Sequence, residues 1–490
     1  MNSKLNCIFV LLFSTYLTVL FSSAFTCEVA FAASDTLTLN EYLKQVEGAS
    51  PALQASSYNS EGALQSAVES ELPLMPKFTV QANHLLDERQ NTSSLFYGTR
   101  TISDTLVAGI EKQFSFGLNT KLSYTLMNNQ TTGASPQFYV PNGSNIYNNA
   151  QTEIDLTQSL WRNFLGKENK ATETRDEATL LMSHFNEKFN LKKMKAIAES
   201  TYYRLAVARE SIVLQKDVLD RAKRILEWAT RRVKNRIADR VDLLQAKTAY
   251  QQRNLDIQAG IDEERSAALA FNVVRNSSVP DVKERLNPIS VQEILTLALP
   301  TKAETTDDVK AAEQNERMTS AISELSKQKA LPDFSVFASA AYNGSNLYVS
   351  PAVGDSFSTQ HPMYKIGVQF SFPLYFWETS EMRAGRVKQQ LGAEAALVQK
   401  RLDNAQTWED LSKKLNESKD RLKMADELVN AQKEKMEYEQ QRLNLGRTTT
   451  YQVLTFEQDY SQALIQRLRI EQELLNLHSE LKTYAVDASN

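Results

Sequence analysis

Apolar residues recur along this chain with two periods, and the periods divide it. Leu205, Ile212, Leu219, Leu226 and Val233 lie seven apart, as do Leu415, Leu422, Val429, Met436 and Leu443. Such stripes predict two long helices, each packed along a seam. A helix from about Lys167 to Asn235 would be on the order of 100 Å long. Val453, Phe456, Tyr460, Ala463, Ile470, Leu474, Leu477, Leu481 and Tyr484 follow 3/4 spacing and predict another helix. Elsewhere the period is two. Phe78, Val80 and Ala82 alternate with polar residues, and so do Phe334, Val336 and Ala338, each run entered through a proline, Pro76 or Pro332. Ile154, Leu156 and Leu160, and Val368, Phe370, Phe372 and Leu374, alternate in the same way. These are strands with one apolar face.

The two patterns repeat. The heptad sets are offset by 210 residues, and the offset continues through Leu244/Leu454, Tyr250/Tyr460 and Gln252/Gln462. The chain therefore reads as two copies of a strand, strand, long helix, turn and helix unit. The copies differ in one place: Pro76 to Leu160 spans 84 residues, whereas Pro332 to Leu374 spans 42. Within the excess, Leu106, Ala108 and Ile110, and Leu122, Tyr124 and Leu126, read as two more strands around a turn at 114–119. An even number of added strands returns the chain to the same side of a sheet, which predicts six strands per chain. A surface excursion is the other reading. The polar stretches 87–103 and 128–149 suit loops. Between the copies, Pro280, Pro288 and Pro300 punctuate short helices, with a longer helix from about Asp307 to Lys329.

Composition narrows the function. Over 490 residues, 55 Lys and Arg stand against 59 Asp and Glu, a net charge of −4 that offers no basic field for nucleic acid. His84, His184, His361 and His478 fall in separate elements, and no phosphate-cradling glycine loop or nucleophile elbow is present. No catalytic residue, cofactor or metal site is expected. A mean hydropathy of −0.41, with no long apolar run beyond the N-terminus, excludes a multi-helix membrane protein but not a β-barrel. At the N-terminus, Lys4, the apolar stretch Leu5 to Phe25 and the small residues Ala30 and Ala32 read as a signal peptide over 1–32, an uncleaved anchor being the alternative. Its removal takes both cysteines, Cys7 and Cys27.

The signal segment, the "LPxxP" strand entry at Leu72 to Pro76, the second strand ending in "LTQSLW", and the paired helices meeting near the "LNLGRTTTYQVL" turn resemble the TolC-type outer-membrane efflux proteins. The resemblance implies a mixed fold, a long α-helical coiled-coil barrel continuous with a trimeric transmembrane β-barrel; the extra hairpin departs from its simplest pattern and would make eighteen strands per trimer instead of twelve. It implies a tunnel helix in 33–75, first strand segment 76–161, first helix pair 162–278, an equatorial belt 279–330, second strand segment 331–376 and second helix pair 377–486. Trp161, Phe164, Tyr375, Phe376 and Trp377 would form an interfacial aromatic girdle, or else pack at the junction.

In such proteins the helix turns close like an iris and meet an adaptor. The corresponding adaptor contacts are Asn235, Arg236, Ile237, Leu445 and Gly446. Asp242 aligns with the carboxylate of a gate salt bridge, Arg447 is the nearest arginine, and Thr448 stands where that arginine is usual. The aspartate ring of the family falls at Gln452 and Thr455, with Glu457 and Asp459 as nearby acids. Arg236 stands where relatives carry glycine, so that turn is expected to be built differently. For the basic end, Arg231, Arg232, Arg236 and Arg240, a solvated helix terminus is the simpler reading. The implied function is a passive outer-membrane exit duct of a tripartite efflux or type I secretion system. Its partners would be two further copies, a periplasmic adaptor (membrane fusion) protein, a proton-driven (RND) or ABC inner-membrane transporter, and outer-membrane lipid. An outer-membrane-anchored coiled-coil stalk or adhesin is the alternative.

Overall fold

A computed structural model describes residues 36–90, 98–135, 145–287, 290–372, 374 and 376–486, with the side chain of Phe376 left out. The expected signal segment and Tyr375 lie outside them.

Six strands form one sheet: β1 (Lys77–Asp87), β2 (Arg100–Gln113), β3 (Leu118–Thr132), β4 (Ile146–Ser159), β5 (Asp333–Asn346) and β6 (Pro362–Ser371). They are ordered as they occur in the chain, and every neighbouring pair is antiparallel. The added hairpin is thus a full part of the sheet, with Thr105 opposite Met127 and Leu106 opposite Leu126. Strands also run further into the polar stretches than the loop reading allowed. β3 continues through Asn128, Asn129 and Gln130 to Thr132, because ladder hydrogen bonds and side-chain amides satisfy these residues: Asn128 Nδ2 donates to Asn148 Oδ1 at 2.8 Å.

The helices are α1 (Leu39–Ala49), α2 (Pro51–Ser66), α3 (Lys167–Lys234), α4 (Arg240–Val274), α5 (Val291–Thr296), α6 (Asp307–Lys329), α7 (Val349–Asp355), α8 (Phe376–Asn444) and α9 (Thr450–Lys482). The helix expected in 33–75 divides in two where Ser50, held extended before Pro51, cannot continue α1. At 68 and 69 residues, α3 and α8 are each about 100 Å long. In the half away from the sheet, α8 packs on α9, α9 on α3, and α3 on α4. Nearer the sheet, α2 flanks α3, and α6 fills the space between α3 and α8.

Leu415, Leu422, Val429, Met436 and Leu443 are all buried, as their spacing predicts. The matching set on α3 is buried only at Leu205. Being flanked on both sides, α3 buries a different stripe there, Val218, Ala222, Ile225 and Ala229. Midway along the helices the core is aromatic. The Tyr42 ring stacks on Phe271 with centroids 4.0 Å apart, and Tyr202 donates its hydroxyl to Leu37 O at 2.8 Å, beside a short parallel pairing of Thr36–Leu37 with Arg285–Leu286. α6 is seated by buried acids: Lys192 Nζ lies 2.8 Å from Asp307, and Lys400 Nζ 3.0 Å from Asp308.

Candidate functional site

Two regions hold the candidate functional residues, the sheet and the paired helix turns. In the sheet every register pairs even-numbered residues with even and odd with odd. The even face carries an apolar band: one row reads Phe78, Ile110, Leu122, Ile154, Ala340 and Tyr364, and Val80, Leu106, Leu126, Leu156, Ile366, Val368 and Phe370 extend it. Most of these side chains are exposed, Phe78 at 69% and Ile366 at 81%. The odd face is polar and small. Its charged row alternates Lys77, Glu111, Lys121 and Asp155 across four strands, then Ser339 and Lys365. A sheet wet on one face and apolar on the other is the pattern of a membrane barrel wall. At its foot, Trp161, Phe164 and Trp377 are exposed within the single chain. At the other end α7 folds back over the even face. Gly344 permits this, because a Cβ there would lie 2.0 Å from Ala352 O.

The turns sit at the far end of the helices over a shared core of Ile225, Ala229, Ala246, Leu443 and Val453. They are built alike. Arg236 has φ 60° and Gly446 φ 71°. Arg236 N donates to Val233 O at 3.0 Å and Ile237 N to Arg232 O at 2.9 Å; Gly446 N donates to Leu443 O and Arg447 N to Arg442 O, both at 2.9 Å. This is the same left-handed helix stop twice. The expectation of a differently built first turn is therefore corrected: hydrogen bonds at both ends hold an arginine where glycine is easier.

An open cleft of about 320 Å³ between the turns is lined by Trp228, Arg232, Arg236, Ile237, Ala238, Asp239, Asp242 and Thr448 to Thr450. Asp242 and Thr448 thus share a site, and Arg447 does not line it. Within the protomer Asp242 and Arg447 form no ion pair, whereas Arg447 O accepts from Arg442 Nη2 at 3.1 Å. Thr448 donates its hydroxyl to Glu439, a buried carboxylate that also lies 3.1 Å from Arg442. Nothing in the sequence singled out Glu439 or Trp228. Gln452 is exposed, its backbone N donating to the Thr449 cap at 3.3 Å, and Thr455 is bonded back to Tyr451 O. Glu457 is buried against Arg221 and Gln440, so it is no substitute for a luminal acidic ring. Asn235, Arg236, Ile237, Leu445 and Gly446 are all exposed at the tip. Of the basic end, Arg232 lies over the Trp228 ring at 4.6 Å.

Residues 301–485 match the family described as outer membrane efflux protein. No curated protein matches the chain in sequence. Solved structures match it in fold. The outer membrane protein VceC from Vibrio cholerae is 11% identical, with 91% of this chain and 96% of that one covered at a TM-score of 0.62. The Campylobacter jejuni CmeC outer membrane channel is 13% identical, covering 92% and 87% at 0.62. The open state of the Neisseria gonorrhoeae MtrE outer membrane channel is 14% identical, covering 91% and 88% at 0.61. The resemblance to outer-membrane efflux proteins holds in sequence over residues 301–485 and in fold over nine-tenths of the chain.

Proposed function

We propose that this chain is one protomer of a homotrimeric exit duct that crosses the outer membrane through its strands and the periplasm through its helices. The observation that carries the reading is continuity: a sheet with one apolar and one polar face runs within a few residues into helices about 100 Å long. The duct itself is passive, and no step of chemistry is assigned to it. Energy would come from an inner-membrane transporter of RND or ABC type, coupled through a periplasmic adaptor that meets the tip at Asn235, Arg236, Ile237, Leu445 and Gly446. Export through a type I secretion system is the variant in which that transporter is of ABC type.

Oligomerisation follows from solvent physics. An open sheet edge is not tolerated in lipid, and one copy supplies two such edges. The outer flanks of the helical layer are likewise apolar and exposed, with Leu244, Leu255 and Val273 on α4 and Leu391, Val398 and Leu402 on α8. Additional copies would cover both. The two helix hairpins, with their matching turns, are read as products of an internal duplication, with the belt between them at the aromatic core. Asp242 and Thr448, converging in the cleft, are the gate, and opening is a change between two packings of the hairpins.

The test is location and assembly. Cell fractionation should place the protein in the outer membrane, and sedimentation in detergent should give the mass of three chains. A protein recovered in aqueous buffer as a monomer would contradict the reading.

A further inference from the structure

We infer that the two open edges of the sheet are each other's partners in successive copies of this chain, in one register: Pro362 to Ser371 of β6 opposite Leu86 to Lys77 of the next copy's β1. The inference rests on the trimeric reading and adds the register at which the copies join, and with it the size of the barrel.

Among the described residues β1 and β6 each pair on one side only. Their lengths match, 11 and 10 residues. Six antiparallel strands leave β6 running opposite to β1, so a junction between copies continues the same kind of ladder. Faces must also match. Even-numbered residues form the apolar face on both edges, so the junction shifts the register by an even number of residues.

Starting from the row that holds Phe78 and Tyr364, no shift at all would pair only the first few residues of β6 before β1 ends at Lys77. A shift of six sets Tyr364 opposite His84 and pairs all ten residues of β6, with Ser371 flush against Lys77 and Asp87 alone beyond Pro362. Val368 then meets Val80, Phe370 meets Phe78 and Ile366 meets Ala82 on the apolar face, while Gln369 meets Thr79 and Lys365 meets Asn83 on the polar one. Such like pairs are the stabilising unit of a sheet. A shift of eight would leave Pro362 beyond the strand, face Lys365 with Leu85 and set Met363 against Asp87. A shift of four would leave two residues of β6 past Lys77.

Three shifts of six give a shear of about eighteen for about eighteen strands, the same ratio that tilts strands by about 36° in other barrels and within the usual range. Eighteen strands about 4.8 Å apart at that tilt make a circumference of roughly 105 Å. Four helices per copy give a ring of about twelve, which at about 9 Å spacing measures roughly 110 Å. The two rings match, so β6 ending at Ser371 can enter α8 at Phe376 without a taper. A twelve-stranded wall of the same tilt would measure only about 70 Å around. Barrels of eighteen strands hold an aqueous channel, and the odd-numbered face is polar enough to line one.

No cysteine follows Cys27, so thiol pairing reads the register directly. Thr79→Cys with Gln369→Cys, both on the polar face, should give on oxidation a reducible ladder of covalent dimers and trimers. Thr79→Cys with Ser371→Cys, the register shifted by eight, should give far less. Asn83→Cys with Lys365→Cys repeats the first test at a second level, should one variant fail to assemble. A ladder from the Ser371 pair, or none from either predicted pair in an assembled trimer, would overturn the register and leave the duct reading standing. A protein that stays monomeric, or forms only bridges within one chain, would overturn both.

Discussion

Arg221 Nε lies 3.0 Å from Glu457 across a buried contact between α3 and α9, with both side chains less than a tenth exposed. The pair joins the first helix hairpin to the second just above the turns. Burial raises the carboxyl, and Arg221 with Gln440 opposes the shift. Removing one partner leaves the other charge buried, so Arg221→Met should destabilise the protomer by about 3 kcal/mol. The double variant Arg221→Met, Glu457→Leu should recover most of that loss. Thermal melting in detergent checks both; equal melting of the single and double variants would contradict the pairing.

A second ionic cluster gives a pH dependence. Glu471 is pushed up to about 7 by burial, which Arg467 opposes and Glu210 and Asp426 reinforce. Arg467 is shared, with contacts of 3.6 Å to Glu210, 3.3 Å to Asp426 and 3.1 Å to Glu471. A carboxyl raised from 4.5 to about 7 binds its proton more tightly in the folded state. Its stabilising contribution is therefore fully present below pH 4.5 and is lost as pH rises through about 7. Glu210 is raised as well and adds in the same direction. The melting temperature should fall across that window, and Glu471→Gln should flatten the fall. A profile unchanged by Glu471→Gln would contradict the assignment.

The paired turns give a substitution that should stabilise. Arg236 bears a left-handed conformation that costs an L-residue about 1–2 kcal/mol and glycine almost nothing. Arg236→Gly should raise stability by about 1 kcal/mol, offset partly by the entropy glycine adds to the unfolded chain. Gly446→Ala should lower it by a similar amount, and the two variants should move melting in opposite directions.

Asp242 faces Arg232 and Arg236 in the cleft beside Thr448. Reversing its charge sets three arginines against Asp239 in the cleft. Asp242→Arg should loosen the tip and raise the leak current of the resting channel; an unchanged resting current would count against the gate assignment. The polar face of the sheet predicts selectivity separately. Lys121 lies between Glu111 and Asp155, so Lys121→Glu should shift the reversal potential in a salt gradient towards cations. No shift would place that row outside the ion path.

Much of this was legible because it is periodic. Alternation located the strands, and the 42-residue excess of the first copy located the added hairpin, now β2 and β3. The long helix expected from about Lys167 to Asn235 runs Lys167–Lys234. What stayed hidden depends on contacts far apart in sequence. Arg221 and Glu457 are separated by 236 residues, and nothing local marks them as a pair. Glu439 looks like any solvated acid on a helix until Thr448 and Arg442 close on it. The first turn misled because its left-handed residue is an arginine, whose side chain gives no hint that hydrogen bonds on either side hold φ at 60°.

The central claim is that the assembled protein encloses a continuous aqueous path. Single-channel recording of the detergent-purified trimer in a planar bilayer tests it most directly. Discrete current steps, small at rest and larger in Asp242→Arg, are the predicted result. A protein that inserts as a trimer and carries no ion current in either form would contradict the account.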